Sequence, residues 1–497
     1  MTNQFLSILL LSAGWIKFFQ FFIALSILIL LHEWGHYYAA RRTGTRVEKF
    51  YLFFDFLFPV STWLPFSLFK KKVGDTEYGI GWFPMGGYVK IAGMIDESMD
   101  KDAMAKPAEP WEFRSKTAPQ RLLIMLGGII MNVLLAIVVY IVIFSVWGED
   151  KLPYQNLKNG IACDSLGYQA GFQDGDIPMA INGKEVTYYE DFKKKFIFED
   201  INKKKNVTVI RNGQKVTFDI PDGTIDKMVN NKESIFSQRV PFVVDSIDAQ
   251  NSYLNKNDFQ RGDQVIAVNG KSTMFFDACV KELGNVLKYN FTTVEQAKAD
   301  FPAWTKKLST PLELKLLRNQ KDTITLSAKL KETGLFGIAP IRHTDTLTQI
   351  LGKEKTTQFE HINYNPLAAI PRALSATWKN VTDYKDNLKA MFTSKEIKAS
   401  KSLGGFGSFA SIFPEKFEMQ SFLGLLAFIS VMLAFMNLLP IPGLDGGYVM
   451  FLIYEMITGK EPNQKVMETA TSIGLMLLLA LMLYANGLDI LRALHLV

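Results

Sequence analysis

The stretch ILILLHEWGHYYAARR, residues Ile27–Arg42, closes a membrane-length apolar run with two histidines and a glutamate. Ionisable side chains at bilayer depth cost about 3 kcal/mol each and persist there for function. His32 and His36 are four apart, so on a helix they share a face and can aim both imidazoles at one metal ion. Neutral imidazoles suit zinc. Glu33 is offset by about 100° around the helix, beside the open side of such an ion. A catalytic zinc keeps one position for water and lowers its pKa to about 7. Glu33 is then placed to take a proton and pass it to a leaving amine, which is peptide hydrolysis. At this composition a chance His-Glu-x-x-His is expected on the order of a few times per thousand such chains. That makes two satisfied histidines at a helix end the weaker reading.

The 497 residues are too many for one core, and the 48% that are hydrophobic concentrate near both ends. Apolar segments run over Phe18–Ala40, Leu122–Trp147, Phe422–Leu439 and Ser472–Tyr484. About 20 helical residues cross a bilayer, so the fourth is short unless Val466 to Ala470 join it. The net charge of +6 has a local source between Arg41 and Arg121, where Lys70, Lys71, Lys72, Lys90, Lys101, Lys106 and their neighbours lie between two spans. The positive-inside rule makes that segment a cytoplasmic loop, with Lys460 and Lys465 on the same side and both termini outside. No basic helix or aromatic-studded basic groove suggests nucleic acid. The amino terminus lacks the pattern of a cleaved signal peptide, so it is read as part of the mature chain. Two cysteines, Cys163 and Cys279, imply neither a disulfide framework nor a cysteine-rich zinc site.

Between the second and third spans the sequence repeats itself. AGFQDGDIPMAINGKEV (Ala170–Val186) and DFQRGDQVIAVNGKST (Asp258–Thr273) each carry Gly-Asp, an apolar strand and Asn-Gly-Lys. Asn182-Gly183 and Asn269-Gly270 are hairpin pairs that tolerate positive φ. NVTVIRNGQKVTFDI (Asn206–Ile220) and LELKLLRNQKDTITLSAKL (Leu312–Leu330) supply further strands. The pattern resembles a PDZ domain in both copies; the modules are inert spacers or docking and filtering elements that take up peptides by edge-strand addition. Beyond them, Asn365–Phe392 spaces Ile370, Leu374, Trp378, Val381, Leu388 and Met391 helically, with Pro371 at the start. This amphipathic helix either lies on the membrane surface or packs on the modules.

A zinc site needs a third protein ligand, and MNLLPIPGLDGGYVM (Met436–Met450) offers Asp445 just past the third span. Pro440, Pro442, Gly443, Gly446 and Gly447 break the helix and let the carboxylate turn toward a facing helix. The plain alternative is a turn aspartate. A helical substrate hides its carbonyls, so it must be opened against an edge strand, and GGYVKIAG (Gly86–Gly93) has strand-like residues after paired glycines. Such backbone at membrane depth needs cover from protein or a wet cavity, and a plain cytoplasmic hairpin is the alternative. Asn132, in GGIIMN, is read as a packing residue.

HExxH in a first span with NLLPIPGLDGG in a later one resembles the intramembrane site-2 zinc metalloprotease family, and the two PDZ-like copies resemble its bacterial sigma-E regulator branch. HEWGHYYAARRTGTRVEKF (His32–Phe50), FPMGGYVKIAG (Phe83–Gly93) and the Asp445 segment carry the likeness, which covers nearly the whole chain. The resemblance implies zinc on His32, His36 and Asp445, with Glu33 as general base. It further implies substrate-holding roles for Asn437 and for the strand Gly86, Gly87, Tyr88, Val89 and Lys90, although Asn437 could equally be a polar helix-packing residue.

The expected fold is a multi-pass α-helical membrane protein with four transmembrane helices, a cytoplasmic-side re-entrant β-hairpin and two extracytoplasmic PDZ-like β-rich domains. HEWGH and the first span occupy 1–41, the hairpin loop 42–120 and the second span 121–148. The PDZ-like domains take 150–222 and 239–340, and the amphipathic segment 341–418. The third span, with the LDG motif, takes 419–447 and the fourth 465–490. The expected setting is a bacterial inner membrane. The expected activity is cleavage within single-span membrane substrates, of anti-sigma factor or signal-peptide type, by a monomer in the lipid bilayer. The rivals are a PDZ-bearing scaffold with a structural metal, disfavoured because closed zinc sites use four protein ligands, and a transporter, disfavoured by the few polar residues in the spans.

Overall fold

The computed structural model describes residues 2–56, 63–84, 86–94, 107–198, 204–230, 234–247, 258–287, 308, 310–330, 336, 338–341, 344–393 and 404–494. Lys101, Lys106, His343, Leu403 and His495 lie outside them. The chain divides into two compact units. The first comprises Met1–Glu149, Asn363–Lys389 and Ser402–Val497, and the second Asp150–Ile362 with Ala390–Lys401.

The first unit is helical. Its long helices are α1 (Thr2–Arg42), α2 (Ala118–Trp147), α3 (Pro366–Thr393), α4 (Met419–Leu438), α5 (Asp445–Thr458) and α6 (Gln464–Ala493). Four stretches are long and apolar enough to cross a membrane: Gly14–Arg42, Ala118–Trp147, Met419–Leu438 and Gln464–Arg492. The fourth is longer than its apolar core suggests, because its helix begins at an Asn463 cap that accepts the Lys465 N–H. Thr117 opens α2 with a capping box closed by Gln120. Ala24 and Leu28 of α1, Ala136 and Val139 of α2, and Leu426 of α4 form a shared core.

Three boundaries differ from expectation. The third span does not continue to residue 447: α4 stops at Leu438, and Asp445 begins a new helix, because the Pro-rich segment between them cannot stay helical. The amphipathic helix starts at Pro366 on an Asn365 cap, leaving Pro371 inside it. Its buried face is Ala369, Ala373 and Thr377, small enough to pack closely, while Ile370, Leu374 and Trp378 are exposed. Finally, the expected hairpin is one edge of a larger sheet. Strands β1 (Val47–Leu52), β2 (Ser67–Val73), β3 (Thr76–Gly81) and β4 (Tyr88–Ile91) lie in the order β2-β3-β1-β4. β1 pairs parallel to β3 and antiparallel to β4, so among the described residues β4 has one hydrogen-bonding edge without a strand partner. Tyr88 anchors that edge by stacking on Tyr51 and donating its hydroxyl to Asp55 at 2.8 Å.

The second unit repeats one wiring diagram. Lys184–Glu185, Ile177–Ile181, Asn206–Arg211 and Gln214–Asp219 form one four-stranded sheet, and Lys271–Ser272, Gln264–Val268, Leu312–Arg318 and Asp322–Ala328 form another in the same order. Asn182 and Asn269 turn the matching hairpins at φ 50° and 46°. Each Gly-Asp aspartate is buried: Asp176 accepts from Arg211 Nε at 2.8 Å and Nη2 at 2.7 Å, and Asp263 from Arg318 at 2.9 and 2.7 Å. Phe172, Phe196 and Val209 lie in one core, and Val265, Leu314 and Leu316 in the other. Cys163 and Cys279 are free, one per core, and burial pushes both thiols up to about 12.

Candidate metal centre

HEWGH lies wholly within α1, which puts His32 and His36 on one buried face against α2. Two glycines let the helices meet there. A Cβ on Gly35 would fall on the Gly127 carbonyl, and one on Gly127 would fall on the Gly35 carbonyl. One residue further along α2, a Cβ on Gly128 would lie 2.5 Å from His36 Nε2 and 2.6 Å from His32 Cε1. Gly128 is therefore the floor of a space the imidazoles need.

Asp445 arrives from the opposite end of the chain as the first residue of α5. The Arg121 guanidinium of α2 donates to Glu455 of α5 and fixes that helix beside the histidines. Asp445 Oδ2 lies 3.3 Å from His32 Nε2 and 3.3 Å from His36 Nε2, and the two imidazole nitrogens are 3.2 Å apart. The His36 Nδ1–H donates to the Ile124 carbonyl at 2.9 Å, which leaves its Nε2 lone pair facing the other two atoms.

This donor set fits zinc. With bonds of ~2.0–2.1 Å and tetrahedral angles, zinc ligands stand about 3.3–3.4 Å apart, close to the three separations here. Asp445 Oδ2 is buried and lacks a hydrogen-bond donor among the described residues. A buried acceptor left so is costly, and a cation would satisfy it. The set is also open, with three protein atoms where a closed structural site would supply four.

A cavity of about 440 Å³ adjoins the triad, lined by Glu33, Gly86, Gly87, Tyr88, Val89 and Asn437 as well as the three donors. The sequence expectations thus converge on one space, with one exception. Lys90 is not among the lining residues, and its ammonium lies 3.4 Å from Glu48. The Asn437 amide nitrogen is 3.4 Å from His32 Nε2. A Cβ on Gly87 would lie 2.6 Å from Ile29 and 3.4 Å from Glu33 Cγ, so this glycine lets the start of β4 approach α1 beside Glu33.

The sequence profile of peptidase family M50 matches residues 20–481. The chain belongs to peptidase family M50. Among M50 relatives, Protease RseP of Yersinia pestis is 27% identical over 482 residues, covering 93% of this chain and 95% of its own. Regulator of sigma-E protease RseP of Escherichia coli is 26% identical over 484 residues, with coverages of 93% and 96%. A Neisseria meningitidis relative whose name carries the words "zinc metalloprotease" is 27% identical over 485 residues, covering 95% and 98%. This M50 peptidase is a zinc metalloendopeptidase of the site-2 type.

Several residues at the centre of this M50 peptidase have no role at the metal site in the sequence reading. Gly127 and Gly128 stand out only as a pair of small residues in an apolar span. The Ile124 carbonyl carries no sequence signal at all. Asn132, expected to be packing, is fully buried with its amide nitrogen 3.1 Å from His32 Nδ1.

Proposed function

We propose that this M50 peptidase hydrolyses peptide bonds within the membrane segments of single-span proteins, using His32, His36 and Asp445 as zinc ligands and Glu33 as general base. The observation that carries the reading is the near-equilateral triangle of two imidazole nitrogens and one carboxylate oxygen, opening on a cavity walled by a strand edge that is unpaired among the described residues. When bound, zinc supplies Lewis acidity toward water and the scissile carbonyl. Glu33, on the cavity wall, takes the proton from the attacking water and returns it to the leaving amine. A substrate laid along β4 exchanges its own helical hydrogen bonds for those of Tyr88–Ile91. Gly86 and Gly87 leave room for its backbone, and the Asn437 amide holds the opened strand near the ligands.

The basic loop supports an orientation with the centre toward the cytoplasm and the β-rich unit and both termini outside an inner membrane. The two modules of that unit are read as PDZ-like, docking or filtering the outer part of the substrate. The family resemblance supports an anti-sigma factor as substrate class, and the name of the Escherichia coli relative, regulator of sigma-E protease, is in keeping with it.

The test is Glu33→Gln in the full chain with a single-span reporter. Zinc content stays at the wild-type level while the cleavage rate falls by about 10²–10⁴-fold. Cleavage at the wild-type rate would overturn the assignment.

A further inference from the structure

Asn132 lies on α2 one turn beyond Gly128 and is fully buried. Its backbone carbonyl accepts the Ser430 hydroxyl of α4 at 2.7 Å, so the residue is fixed from two sides. Its side chain presents a mismatch. Nδ2, a donor, faces His32 Nδ1 at 3.1 Å, while the buried Oδ1 has no partner among the described residues. His32 directs Nε2 at Asp445 and His36, and a neutral imidazole with its lone pair there carries its proton on Nδ1. Two donors then face each other beside an idle acceptor.

Rotating the amide by 180° about Cβ–Cγ removes both faults. Oδ1 accepts the Nδ1–H, and the orphaned oxygen gains its hydrogen bond. We infer that Asn132 is a positioning residue for the metal centre: its Oδ1 holds His32 in the Nδ1–H tautomer and aims Nε2 at the point shared with His36 and Asp445. His36 receives the same service from the Ile124 carbonyl. Metal-binding histidines generally donate their second N–H in this way, which fixes ring and tautomer together. Within a membrane span, protein must supply the acceptor. The inference rests on the zinc reading above and adds a residue to it.

The test is zinc affinity of the full chain in detergent, measured by competition with a chromophoric chelator. Asn132→Leu keeps the bulk but loses the acceptor, and Asn132→Asp keeps an oxygen at the same place. Asn132→Leu binds zinc 10–100-fold more weakly, and Asn132→Asp stays within about threefold of wild type. A packing role predicts the reverse, so wild-type affinity in Asn132→Leu, or an Asn132→Asp as weak as Asn132→Leu, overturns the inference. His36→Ala, measured alongside, separates the two claims. If it binds zinc like wild type, the metal reading itself fails; if it loses zinc while both Asn132 variants match wild type, only the role of Asn132 fails.

Discussion

Two kinds of buried carboxylate occur in this molecule. Asp176 of the β-rich unit accepts two guanidinium hydrogens from Arg211 and the Gln173 backbone N–H at 2.8 Å, and Asp263 repeats the pattern with Arg318 and the Gln260 N–H. Asp445 has two imidazole nitrogens at 3.3 Å and a buried oxygen that receives no hydrogen bond among the described residues. A satisfied buried acid is architecture. An acid held ready beside two lone pairs is a place for a cation.

The contrast has measurable consequences. Asp445→Ala removes the proposed third ligand and loses both bound zinc and turnover to background, read by metal analysis and a cleavage assay, while the melting of the β-rich unit does not move. Gly128→Ala pushes a methyl group into the imidazoles and weakens zinc by about 10–100-fold, measured by chelator competition. Arg211→Leu strands the Asp176 carboxylate and costs about 3–5 kcal/mol of stability, read in denaturant unfolding, with zinc content unchanged. Arg318→Leu costs a similar amount in the sister module; a loss of zinc in either variant would erase the distinction drawn above. Asn182→Ala, at φ 50°, removes the short amide that makes left-handed backbone tolerable and whose Oδ1 accepts the Asn206 N–H at 3.0 Å, and costs about 1–2 kcal/mol in denaturant unfolding.

The readable parts of this chain were those written in local spacing. Four residues between histidines, a Gly-Asp and an Asn-Gly at fixed offsets, and apolar runs of span length each follow from one helix turn, one hairpin or one bilayer thickness. Parallel pairing of β1 with β3 leaves no turn to read, so the sheet was legible only as the strand-like Tyr88–Ile91. On α3 the spacing of large apolar residues marked the stripe that stays exposed, whereas close packing selected Ala369 and Ala373, which carry no pattern to read. Asn132 was ambiguous in principle, since an asparagine within an apolar helix serves packing or a ligand, and only the histidine 3.1 Å away distinguishes them.

The Gly35–Gly127 crossing has a mechanical meaning. Where two helices meet backbone to backbone, no side chain remains to flex or change rotamer between them, and the joint has little compliance. The two histidines on α1 and the floor and carbonyl that α2 sets against them therefore form one stiff piece. The third donor reaches this piece by a different kind of joint, the non-helical turn from Leu439 to Leu444.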